Sequence, residues 1–216
     1  MTRDATRPPS SLPGVRYGAI QRHADTRGSF RELWRASTFP ALTAAETGAN
    51  ESEDGARAGT EPRFVQANLS TSAAGVLRGL HYHRRQLDYW VVAAGRAFVA
   101  LVDVRPVAAG RRAAAGTGAV ARTGAAAVET RELSTDEWVV IPAGVAHGFL
   151  ALEPLELLYL VTNEFDGSDE LGFAWDDPAV DVPWPPVPAT PDGLPILSDR
   201  DRSNPSLDEL IASLRG

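Results

Sequence analysis

The chain has 216 residues, 21 basic and 28 acidic side chains and a formal net charge of -7. That is long enough to bury a real core, and of the wrong sign for a nucleic-acid backbone as main partner. Cysteine is absent and every basic residue is arginine, so disulfides, thiolate or Schiff-base chemistry and lysine acids or bases are excluded. Imidazole chemistry rests with His23, His81, His83 and His147.

From the N-terminus, Met1 to Val15 is polar and broken by proline, unlike a signal peptide. No apolar run approaches the ~18 residues of a membrane span, so a cytoplasmic protein without membrane partners is expected. Thr43 to Pro62 holds almost no large apolar residue and is predicted to be a flexible insertion. Strands are predicted at Arg63 to Leu69, at Tyr89 to Val92, and at Ala97 to Val104 beyond the turn at Gly95. Val107 to Val128 is an Ala/Gly/Arg/Thr mixture predicted to be a second insertion. Further strands follow at Glu137 to Ile141, Phe149 to Leu152 and Leu155 to Val161. Pro183 to Pro195 is proline-rich and expected to run extended. Ser206 to Glu209 has capping-box spacing, and Leu207, Leu210, Ile211 and Leu214 give the following helix an apolar stripe for docking. Few helical periods interrupt the strands, so one all-β domain over residues 1–216 is predicted, an antiparallel sandwich or barrel with a few short helices and a C-terminal helix.

His81 and His83 lie two apart, so on a strand both imidazoles face one side. Asp88, Gly95 and then Pro142 to His147 follow. This HxH, carboxylate, glycine, PxGxxH order is similar to the two sequence motifs of cupins, which are small jelly-roll barrels that often hold a divalent metal. The carboxylate here is Asp rather than Glu, and Ala151 stands where Asn is usual. Read as ligands, His81, His83, Asp88 and His147 suit one divalent transition metal such as Fe, Mn, Ni or Zn. Read otherwise, His81 is catalytic without a metal while His83 and His147 hydrogen-bond inside the barrel.

A longer set of residues resembles the dTDP-4-dehydrorhamnose 3,5-epimerases and their 3-epimerase relatives. It comprises Asp25 to Glu32, Phe64 to Asn68, Gly75 to Tyr82, Ile141 to Phe149, Leu158-Tyr159, Trp175 to Pro178, Trp184-Pro185 and Leu197 to Asp201, in that order. The resemblance implies a jelly roll, a homodimer and a nucleotide-linked 4-keto-6-deoxyhexose whose acidified C3 proton, and in double epimerases C5 proton, leaves to form an enolate. It implies no cofactor. It makes His81 the base, Asp201 the group that orients and charges that imidazole, and Tyr159 the acid on the opposing face. Arg78 would hold the diphosphate. Arg27, Phe30, Glu32, Gln66 and Asn68 would line the sugar and nucleotide pocket, with His147 at the floor.

Departures from the family pattern fall in the site itself. Asp88 stands where the family has a lysine that steadies the enolate oxygen, and His83 where it has glutamine. Phe165 replaces a tyrosine near the diphosphate or sugar. The first two changes restore the metal-ligand pattern, yet a metal bound through His81 would compete with its role as base. Three readings result: a sugar-nucleotide epimerase in a deoxysugar or natural-product pathway; a diverged cupin isomerase, cyclase or oxygenase on another carbonyl substrate, metal-dependent through His81, His83, Asp88 and His147; and a non-enzymatic protein that binds a nucleotide sugar.

Overall fold

Short runs rich in Val, Leu and aromatic residues between Gly and Pro turns build most of the twelve short strands in the computed structural model, which describes residues 8–38, 63–111, 126–187 and 190–215. They are β1 (Arg16–Ala19), β2 (Arg22–Asp25), β3 (Gly28–Arg31), β4 (Gln66–Ser72), β5 (Leu77–Tyr82) and β6 (Asp88–Ala94). After them come β7 (Arg96–Asp103), β8 (Ala127–Ser134), β9 (Glu137–Ile141), β10 (Val145–Ala151), β11 (Leu155–Val161) and β12 (Leu171–Gly172). Three short helices, α1 (Arg105–Ala108), α2 (Asp199–Arg202) and α3 (Leu207–Arg215), complete the described elements apart from one 3-10 turn at Ala36–Thr38.

Two five-stranded sheets face each other, ordered β1-β9-β6-β11-β4 and β12-β5-β10-β7-β8, and β2-β3 stands apart as a hairpin. Every strand pair is antiparallel. This is the all-β jelly-roll barrel that the sequence predicts.

Trp90 and Val92 of one sheet meet Leu101 and Phe149 of the other in the inner core. Ala100 and Val102, the alternate residues of β7, face outward but are buried again beneath Leu207, Leu210 and Ile211 of α3. Burial on both faces makes β10 buried along its whole length. Each buried Leu or Ile of α3 contributes roughly 1.5–3 kcal/mol, which fixes a helix too short to persist alone. Its capping box forms as predicted: Ser206 N donates to Glu209 Oε2 at 2.8 Å, and Glu209 N donates to Ser206 Oγ at 3.3 Å.

Several boundaries differ from the sequence reading. The insertion predicted at 43–62 lies outside the described residues. That at 107–128 is too long at both ends: Val107 is buried on α1, while Ala126 and Val128 are buried at the start of β8. Alanine-rich sequence hid these anchors, because small side chains fill a barrel wall without looking strongly apolar. The extended run at 183–195 is interrupted by a turn, in which Gly193 N donates to Thr190 O at 3.2 Å and Gly193 has φ +72°.

Candidate active site

A cavity of about 380 Å³ opens between the two sheets. Gln66, Asn68, Arg78, His81, His83, Asp88, His147, Tyr159 and Phe165 line it, joined by Ser70, Gln86, Trp90, Phe149, Leu157, Val161, Glu170 and Arg200. His81 and Arg78 come from β5 and His147 from β10, all in one sheet, whereas Asp88 (β6) and Tyr159 (β11) come from the facing one.

Arg78 and His81 are three apart, so a regular strand would send them to opposite faces. Opposite β10 the register runs His147 to His81 and then Phe149 to Arg78, so β5 carries one extra residue. Such a bulge re-aims a side chain, and here it brings both residues to the cavity. The bulge depends on close backbone approach. Gly79 has φ +135°, and a Cβ there would stand 2.6 Å from Gly148 Cα.

His81 Nε2 lies 2.7 Å from Asp201 Oδ1. A carboxylate only accepts, so Nε2 carries the proton and Nδ1 is left as the basic nitrogen. Asp201 sits buried on α2, where Ser198 Oγ donates to its Oδ2 at 2.9 Å and accepts from its backbone N at 3.1 Å. Burial lowers the His81 pKa, and the hydrogen bond and charge of Asp201 offset only part of that, so the imidazole is neutral at pH 7. Burial raises the Tyr159 hydroxyl, the Asp88 carboxylate raises it further and Arg78 opposes them, leaving it protonated. The cavity therefore presents a neutral base from one sheet and an undissociated acid from the other.

The four residues of the metal-ligand pattern do not converge. His81 is turned to Asp201, while His83, Asp88 and His147 form a separate buried cluster whose ligand atoms lie within 4.8 Å of one another. Asp88 Oδ2 is 3.1 Å from His147 Nε2 and 4.0 Å from His83 Nε2. Burial raises the Asp88 carboxyl, but the hydrogen bond and charge of His147, together with His83 and Gln86, outweigh it and hold the pKa below the usual carboxylate range.

Arg27, Phe30 and Glu32, predicted to line the pocket, lie elsewhere. All three belong to the β2-β3 hairpin or the residues just after it. Arg27 pairs with Asp25, Glu32 with Arg35, and Phe30 is 67% exposed. The hairpin pairs with neither five-stranded sheet, and the pattern that marks these residues does not bring them to this cavity.

Ser198, Gln86 and Asp169 were missed by the sequence reading. Ser198-x-x-Asp201 is a readable helix-capping spacing, and Gln86 shares a face with Asp88 by its two-residue offset. Nothing local marks Asp169, which receives Arg84 N at 2.8 Å and Arg85 N at 3.0 Å from across the fold.

The family model for dTDP-4-dehydrorhamnose 3,5-epimerase matches residues 9–209. A dTDP-4-dehydrorhamnose 3,5-epimerase of Salmonella typhimurium is 32% identical over 206 residues, covering 94% of this chain and 95% of that protein. Among solved structures, the rmlC epimerase of Mycobacterium tuberculosis superposes with TM-score 0.68 at 30% identity, over 94% of this chain and 88% of its own. NovW, a 4-keto-6-deoxy sugar epimerase from the novobiocin gene cluster of Streptomyces spheroides, also gives TM-score 0.68, at 27% identity over 96% of this chain and 89% of its own.

Proposed function

The chain belongs to the dTDP-4-dehydrorhamnose 3,5-epimerase family, and from that premise we propose that it inverts C3 of a nucleotide-linked 4-keto-6-deoxyhexose in a deoxysugar or natural-product pathway. The observation that carries the reading is the His81–Asp201 pair at 2.7 Å, set across the cavity from Tyr159 on the opposite sheet.

The ketone at C4 acidifies the C3–H bond. His81 Nδ1 takes that proton, and the bonding electrons move to the ketone oxygen as an enolate. Tyr159 then gives its proton to C3 from the other face. The imidazolium and tyrosinate so formed return to the starting state by proton exchange with water. Asp201 holds the ring in the tautomer with a free Nδ1 and stabilises the imidazolium.

Arg78 stands near the cavity rim with Nε 3.1 Å from Ser72 Oγ, a placement that suits a diphosphate. Gln66 and Asn68, joined at 2.9 Å, offer amide groups to the sugar or base. Phe165 offers an apolar face beside them; its backbone N donates to Gln66 Oε1 at 2.9 Å.

We assign the active unit as a homodimer in which the hairpin carrying Arg27, Phe30 and Glu32 reaches the cavity of the second subunit. Its exposure, and its lack of any place in its own cavity, support that assignment.

Incubating the protein with a dTDP-linked 4-keto-6-deoxyhexose in deuterated water tests the reaction. Deuterium is expected at C3 with inversion, and the number of labelled carbons reports whether C5 turns over as well. Exchange no faster than in His81→Ala rejects the reading.

A further inference from the structure

The acid–base pair uses His81, Asp201 and Tyr159, leaving three buried titratable side chains on the cavity wall without a role. His83, Asp88 and His147 are each under 6% exposed, and two imidazoles rather than one face the same carboxylate oxygen.

The two ring tautomers follow from their partners. His83 Nδ1 lies 2.6 Å from Asp169 O, and His147 Nδ1 lies 3.1 Å from Val145 O. A carbonyl oxygen only accepts, so both Nδ1 atoms carry protons and both Nε2 atoms face Asp88, where the nearer one needs either a second proton or a cation between it and the carboxylate. Those two nitrogens are the atoms nearest Asp88 Oδ2, at 4.0 and 3.1 Å. The other carboxylate oxygen is already engaged, since Gln86 Nε2 donates to Asp88 Oδ1 at 2.7 Å.

Each of the three side chains therefore has its far atom fixed by a hydrogen bond and its near atom directed at its neighbours. His83 is further held by its own carbonyl, which accepts from Gly144 N at 2.8 Å. Metal-binding histidines carry this outer arrangement, one ring nitrogen donating to a carbonyl so that the other can ligate.

We propose that His83, Asp88 and His147 form a two-histidine, one-carboxylate site for a single divalent transition cation. The donor set suits Fe(II), Mn, Co, Ni or Zn, and three protein ligands leave further positions open. With metal–ligand bonds of about 2.1 Å, donors in one shell stand roughly 3.0–3.4 Å apart. The observed 3.1 Å edge already meets this, and the other two, 4.0 Å and at most 4.8 Å, would shorten on binding. A lone proton would satisfy the His147–Asp88 contact but leave the second Nε2 facing the same carboxylate without purpose. A cation satisfies all three donors at once.

His81 is not a ligand, so the base and the cation do not compete for one imidazole. When bound, the cation supplies positive charge at the cavity wall for the oxygen on which the enolate charge develops, in a chain that has no lysine to do so. What the cation does rests on the epimerase reading; that it binds does not.

The test uses the full-length, untagged protein, stripped with chelator and titrated with Co(II) or Zn(II) alone. One equivalent of Co(II) per chain is expected, with d–d absorption of an imidazole and carboxylate site. His81→Gln should bind like the wild type. Gln86→Leu, which frees Asp88 Oδ1, should weaken binding roughly 10- to 100-fold. His83→Gln and Asp88→Asn should abolish it while unfolding at temperatures near the wild type. Absence of stoichiometric binding overturns the proposal, as does binding that survives both ligand substitutions.

Should those variants fail to fold, the proton NMR spectrum of the wild-type Co(II) complex decides. Shifted imidazole N–H signals from two rings support the site, and signals from none or three overturn it. Deuterium exchange in chelated, metal-free protein that binds no Co(II) removes the metal site and leaves the epimerase reading standing. Stoichiometric Co(II) binding without exchange under any loading does the reverse.

Discussion

In the proposed reaction Tyr159 and His81 divide one job that a single residue could only half perform. A base acting alone returns the proton to the face it came from, and a net change of configuration needs a second donor across the ring. On that reading Tyr159 meets the need because burial, the largest influence on its hydroxyl, keeps it undissociated. Tyr159→Phe should therefore still wash deuterium into C3, with retention, while inversion falls by about 10²–10⁴; inversion at the wild-type rate would remove Tyr159 from the mechanism. The sequence names both residues, and Asp201, through motifs that resemble the epimerase family, and the structure brings His81 and Tyr159 to one cavity with Asp201 against His81. The division of labour among the histidines was not legible in the sequence. HxH spacing correctly puts His81 and His83 on one wall, yet it cannot tell that α2 delivers a carboxylate to the first ring and the Asp169 carbonyl orients the second.

At the level of elements, β5 shows why local pattern is insufficient. Its apolar alternation would put Arg78 and His81 on opposite faces, and only the extra residue facing β10 brings them together. The Gly79 and Gly148 pair permits that bulge, but a glycine in a strand has several other uses. The β2-β3 hairpin poses a similar problem. Its residues match the family motif, but its attachment to the barrel depends on Asp136 in the tight turn between β8 and β9. The Asp136 carboxylate takes Arg22 Nε at 2.8 Å and Arg31 Nη1 at 2.6 Å. Partial burial raises the Asp136 carboxyl, but the hydrogen bonds and charges of the two arginines outweigh it, so its pKa lies below the usual value. A depressed carboxylate stabilises the fold above its unfolded pKa of about 3.9, and that contribution is lost as pH falls through the lower folded value. Asp136→Asn should remove roughly 1 kcal/mol at neutral pH, because both arginines keep partial contact with solvent. Amide hydrogen exchange from Ile20 to Leu33 should quicken in the variant at pH 7. Unchanged exchange would show that the hairpin is held by other contacts.

On the scale of the whole molecule, the cavity gathers Tyr159, His81 and Arg78, while the motif residues Arg27, Phe30 and Glu32 remain outside it. Fold class and cavity were both readable from one chain, since strand pattern and motif order suffice for them. The motif marks Arg27, Phe30 and Glu32 as well, but nothing in the pattern of one chain says which barrel they would line. If the hairpin of one subunit completes the cavity of the other, two differently damaged chains should repair each other. His81→Ala removes the base but keeps an intact hairpin, and a Arg27→Ala, Phe30→Ala double variant keeps the base but damages the hairpin. In a mixed dimer the barrel with His81 receives the undamaged hairpin, giving one complete site. Equal mixing of two exchanging chains makes half the dimers mixed, so about a quarter of the sites should be restored. The measurement is the inversion rate after co-refolding the two variants, against each refolded alone. Activity near a quarter of wild type supports shared sites. A rate equal to the average of the two separate variants would confine each active site to one chain and overturn the shared-site assignment.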